Sequence, residues 1–96
     1  MENKFDISAF VNVETQQTVL LNLVERVKLR RKESKLTQKQ LAERSGVSYA
    51  SIRRFEETGD ISLASLLKIG HALKCLPDFN SLFKTPIITN LKDFKG

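Results

Sequence analysis

Two adjacent arginines, Arg53 and Arg54, close the short segment Ser48-Tyr49-Ala50-Ser51-Ile52. A guanidinium can bond bidentately to guanine O6 and N7, and a small apolar residue can lie against a thymine methyl. On a helical wheel of about 100° per residue with Ile52 pointing inward, Phe55 falls beside Ile52 and both edge the core. Ala50 and Arg54 then lie on the opposite side, with Tyr49 and Arg53 on one shoulder and Ser51 on the other. That face offers two guanidinium groups, a phenol, a hydroxyl and one small residue that permits close approach. Its chemistry suits base edges and phosphates. The plainer alternative is a solvated surface on which Arg53 pairs with Glu57 at i+4.

A second group precedes it. Thr37-Gln38-Lys39-Gln40 reads as a capping box, the Thr37 hydroxyl accepting from the N3 amide while Gln40 reaches back to the cap N–H. Gln38 and Lys39 therefore stand at a helix N-terminus, where free N–H groups and the dipole favour a phosphate. Ser45-Gly46 ends this helix and Ser48 caps the next, so the two short helices meet at a bend. Such a bend lets one helix end grip the backbone of a duplex while the other helix enters the major groove.

The remaining reactive residues are sparse. His71 and Cys75 are spaced at i+4, but two ligands without a nearby carboxylate make a poor metal site, and packing or surface roles fit them better. No glycine-rich phosphate loop accompanies the basic residues. Catalysis is not expected, nor is a cofactor. A single cysteine rules out an internal disulfide framework and suits a reducing compartment.

Length and charge agree with these motifs. The chain has 96 residues, 41% of them hydrophobic, and a net charge of +5, which suggests one small folded domain that association would help. From Arg26 to Arg54 there are ten basic residues against Glu33 and Glu43, a net +8 that leaves −3 for the rest. This asymmetry favours a polyanionic partner, nucleic acid ahead of membrane. No apolar run reaches the roughly 18 residues of a membrane span, and MENKFDISAF lacks signal-peptide features. A cytoplasmic protein is expected.

The elements that must position these groups follow from patterning. Phe5 to Val13 alternates with period two, as a short strand or extended arm does. Thr15 to Glu33 reads as a helix with an apolar stripe of Val19, Leu20, Leu23, Val24 and Val27. After the bent pair and a Thr58-Gly59-Asp60 loop, Ser62 caps a helix with Leu63, Leu66, Leu67, Ile69 and Leu73 facing the core by spacing. Pro77 opens a last short helix carrying Phe79, Leu82 and Phe83, and Ile87-Ile88-Thr89 could form a strand. The expected fold is all-α with five helices and short strands at the ends. Its parts are an arm over residues 1–14, a DNA-binding domain over 15–76, and a C-terminal helix and tail over 77–96. The apolar residues at the two ends exceed what so small an interior can bury, which predicts a dimer interface built from them.

LTQKQLAERSGVSYASIRRFEE resembles the helix-turn-helix of the XRE-type, phage-repressor-like regulators, through Gln38, Leu41-Ala42, Gly46-Val47, Ile52 and Glu56. SLASLLKIGHAL resembles that family's fourth helix, and the likeness covers roughly residues 20–76. The resemblance implies a lambda-repressor-like domain acting as a dimeric repressor on a pseudo-palindromic double-stranded DNA operator. It implies DNA contacts from Thr37, Gln38 and Lys39 at the clamping helix. Tyr49, Ala50 and Arg54 would face bases, with Ser48, Ser51 and Arg53 at the edge. It also implies a partly buried ion pair between Arg31 and Glu56. FEETGDISLASLLKIGHAL is further similar to small regulators beside HipA-type kinase toxins, which adds a second reading: an antitoxin that also binds a toxin protein. Two features depart from the family pattern. Glu57-Thr58-Gly59 carries one extra residue before the loop glycine, and Ile61 stands where many relatives have proline.

Overall fold

Four hydroxyl residues set where the helices begin. Thr15, Thr37, Ser48 and Ser62 each accept a hydrogen bond from the backbone N–H three residues on, and Thr15 and Thr37 form full capping boxes with Thr18 and Gln40. Each cap satisfies a donor that an open helix end would leave unpaired. The computed structural model describes residues 14–87. Within them these caps introduce α1 (Gln16–Glu33), α2 (Gln38–Ser45), α3 (Tyr49–Thr58) and α4 (Leu63–Ala72), and a fifth helix, α5 (Leu76–Phe79), follows with Pro77 in its first turn. Among the described residues the fold is all-helical, with no strand.

The helix ends are as locally encoded as the starts. Gly46 and Gly59 adopt left-handed φ values of 79° and 85° and stop α2 and α3, a conformation that costs glycine little. Gly59 is constrained twice, since a Cβ there would meet the Leu20 side chain of α1 at 2.8 Å. Lysines do the same work after α1 and α4: Lys35 and Lys74 have φ of 60° and 62°. The N–H groups of Leu36 and Cys75 then reach back to the carbonyls of Arg31 and Gly70, the bonding of a Schellman motif. A side chain in this conformation costs about 1–2 kcal/mol. Lys35→Gly is therefore expected to stabilise the domain by about 0.5–1 kcal/mol after allowing for glycine's greater unfolded freedom. Thermal melting should show a rise of a few degrees, and an unchanged or lower midpoint would count against the strain.

Two apolar clusters hold the helices together. Leu36, Leu41, Val47, Ile52, Ile69 and Leu73 form one, Val24, Phe55 and Leu66 the other, and Val27 and Ile61 pack against both. Leu41, Ile52, Phe55 and Ile69 are fully buried. Ile61 thus serves as packing between the clusters.

Several sequence expectations need correction. Leu63 and Leu67 do not face the core but are 65% and 36% exposed. The buried stripe of α4 runs Leu66, Ile69, Gly70 and Leu73. Leu67 sits about 100° round from Leu66, while Leu63 lies in a first turn that stays open. Val19 is 45% exposed, because α1 buries residues only from its middle onward, at Val24 and Arg31. The last helix stops at Phe79, leaving Leu82 and Phe83 beyond it and exposed. Phe79 itself lies over Gly70, where any Cβ would collide with its ring. Ile87 is exposed and outside any strand. The alternating segment Phe5 to Val13 and residues Ile88-Thr89 lie outside the described residues.

Candidate nucleic-acid interface

The bend between α2 and α3 is rigid because both sides of it are buried. Leu41 and Ile52 are fully enclosed and Val47, in the turn, is nearly so. The Val47 N–H donates to Ser45 Oγ at 3.1 Å, which keeps the turn's backbone satisfied.

Beneath the bend lies a buried polar network. Arg31 Nε and Nη2 donate to Glu56 Oε2 and Oε1 at 2.8 and 3.0 Å, a bidentate pair between side chains 11% and 4% exposed. Arg31 Nη1 also donates to the Leu36 carbonyl at 2.9 Å, and Gln38 Nε2 donates to Glu56 Oε1 at 2.8 Å. The Arg31–Glu56 pair thus joins α1, the loop after it, the start of α2 and the inner face of α3. Charge-assisted bonds of this kind are strong and orientation-specific, so the network fixes the pose of α3 on the domain. Gln38, considered from the sequence only as a phosphate ligand, spends one amide N–H on this network and retains the other.

The outer surface gathers residues from both helices. Lys39 Nζ and Arg53 Cζ lie over the Tyr49 ring, 5.4 and 5.7 Å from its centroid. Cation–π attraction at these distances favours holding both cations near the ring. Ala50 is exposed beside them. Ser48 Oγ caps the Ser51 N–H at 3.0 Å and donates to Ser51 Oγ at 2.9 Å, which leaves the Ser51 hydroxyl proton free to point outward. Thr37 Oγ1 accepts from the Gln40 N–H at 3.1 Å, so its own proton is likewise available.

The two arginines part company. Arg53 reaches Glu57 only loosely, at 3.8 Å. Arg54 turns toward the loop after α3 and meets Asp60 Oδ2 at 2.9 Å. Asp60 and Thr58 did not figure among the sequence candidates, although the extra residue before Gly59 was the available signal. Among the described residues no group of three or more His, Cys, Asp or Glu could hold a metal ion. Cys75 Sγ accepts from Arg30 Nη1 at 3.0 Å, and His71 is exposed.

A bent helix pair with a buried inner face and a cationic, aromatic outer one defines a helix-turn-helix DNA-binding domain. Residues 27–80, more than half of the chain, match the family described as Helix-turn-helix, and the chain belongs to that family in its XRE, phage-repressor-like form. That family is one of DNA-binding transcription regulators. No curated protein and no solved structure shows significant similarity to the chain. No described helix is long and apolar enough to cross a membrane.

Proposed function

We propose that the chain binds a specific double-stranded operator as a homodimer, inserts α3 in the major groove and represses the adjoining gene. The observation that carries this reading is the division of α3. Ile52, Phe55 and Glu56 are buried, while Tyr49, Ala50, Arg53 and Arg54 stand exposed on the other side. In this reading Tyr49, Ala50 and Arg54 face bases. Thr37, Gln38, Lys39, Ser48, Ser51 and Arg53 bind phosphates or flanking positions, with α2 presenting its N-terminus to the backbone. Repression follows from the kinship with repressor-type regulators.

The dimer draws support from an apolar groove of about 500 Å³ between α1 and the α4–α5 end, lined by Leu23, Leu29, Leu63, Leu66, Phe79 and Leu82. Phe83 and Ile87 add fully exposed apolar surface nearby in sequence. The same groove favours the second reading, an antitoxin whose groove receives a toxin protein.

Selection of bound duplexes from a random pool tests the main reading. A dimer should recover two inverted half-sites about one helical turn, or roughly 34–36 Å, apart. Against the selected operator, Arg54→Ala should lose about 1–3 kcal/mol of discrimination at one base pair per half-site. Equal weakening on all sequences would make Arg54 a phosphate ligand. Failure to enrich any sequence would overturn the proposal.

A further inference from the structure

The last residue of α3 and the loop that follows it build a closed ring of contacts on Arg54. Thr58 Oγ1 donates to the Arg54 carbonyl at 2.7 Å and accepts from the Asp60 N–H at 3.1 Å. Asp60 Oδ2 in turn meets Arg54 Nη2 at 2.9 Å. The path runs from the Arg54 backbone through the Thr58 hydroxyl and Asp60 back to the guanidinium of the same arginine. Gly59, in the left-handed conformation and pressed against Leu20, makes the reversal possible and ties it to α1. Arg53 has no such ring, only a loose contact with Glu57 and its place over the Tyr49 ring.

We infer that Asp60, seated by Thr58, is a specificity-determining residue that holds Arg54 ready for a guanine edge and denies it to phosphates. This rests on the reading that α3 enters the major groove. Two physical arguments support it. First, a long arginine side chain loses much rotamer freedom when it is fixed, and a side chain already held pays less of that cost on binding. Asp60 pairs with Arg54 on its Nη2 side, and a guanidinium with five N–H groups can still make a bidentate bond to guanine O6 and N7. Second, a carboxylate beside Arg54 repels an anionic phosphate but not the uncharged edge of a base. The pair therefore biases Arg54 toward sequence reading at the expense of non-specific grip. Because both side chains are well exposed, 70% and 61%, the pair is screened in the free protein and adds little to folding stability.

The test measures wild type, Asp60→Asn, Thr58→Val and Arg54→Ala on three duplexes: the selected operator, the operator with the Arg54-facing base pair replaced, and a random sequence. Thermal melting of the two loop variants should match wild type. Asp60→Asn should reduce discrimination at that base pair by about fivefold, the upper range for an exposed pair, and should tighten binding to random DNA. Thr58→Val leaves the charge unchanged and should also reduce discrimination, by a smaller factor. If Arg54→Ala abolishes discrimination while both loop variants keep it, the clamp is overturned and the major-groove reading stands. If Arg54→Ala itself leaves discrimination intact, the base-reading role of Arg54 and the clamp both fall.

Discussion

Glu56→Ala is expected to destabilise the domain by about 3–5 kcal/mol, read as a shift in the midpoint of urea denaturation at constant slope. Glu56 is buried and accepts three hydrogen bonds, two from Arg31 and one from Gln38. Truncation would leave Arg31, 9% exposed, with the Leu36 carbonyl as its remaining partner among these contacts. An uncompensated buried charge is the costly product, more than the lost attraction itself. Against a whole-domain stability of about 5–15 kcal/mol, this loss is a large fraction of the total. Replacing both partners with apolar residues, Arg31→Met with Glu56→Leu, should recover most of the loss, because neither charge then needs solvating. That double variant also separates folding from positioning. It should melt near wild type yet bind operator more weakly, since α3 would lose the bidentate contacts that fix its pose. A cost below about 1 kcal/mol for Glu56→Ala would identify an exposed pair instead of a buried one.

The second large effect is the response of DNA binding to salt. Each phosphate neutralised releases condensed counterions, so log affinity should fall linearly with log salt, with a slope of about −0.9 per phosphate contact. A dimer using about three to five phosphate contacts per protomer would lose roughly 10³–10⁵ in affinity between about 50 and about 200 mM salt. Lys39 and Arg53 lie over the Tyr49 ring on the outer face of α2 and α3, where they are placed to supply part of that slope. Lys39→Ala should reduce the slope by about one unit per protomer and weaken all duplexes alike, the signature of a phosphate contact. Titrations by fluorescence anisotropy at several salt concentrations measure both quantities. Binding that is indifferent to salt would count decisively against a cationic DNA face.

Much of the architecture was legible because its signals act over three to five residues. The boxes at Thr37 and the caps at Ser48 and Ser62 could be read directly, as could the stop at Gly46, since a cap needs only its own helix. The outward face of α3 was legible for a similar reason: helical geometry alone places Ala50 and Arg54 opposite Ile52. Burial was harder to read where spacing is ambiguous. Leu63 and Leu67 sit among equally apolar neighbours, and only the positions of the helices around α4 decide which leucines are covered.

The site divides along the same line. The sequence by itself determined which residue types stand on α2 and α3 and how each helix starts and stops. Tertiary structure decided the partnerships. Glu56 meets Gln38 across 18 positions and Arg31 across 25, separations at which no local rule specifies a contact; the Arg31 pairing was expected only through the family resemblance, and the Gln38 bond not at all. It decided as well that the adjacent arginines differ, Arg54 being closed into a ring through Thr58 and Asp60 while Arg53 stays loosely paired. The physical reason is range: backbone capping and helical periodicity are local interactions, whereas a side chain's hydrogen-bond partner depends on which distant segments the packed core brings within reach.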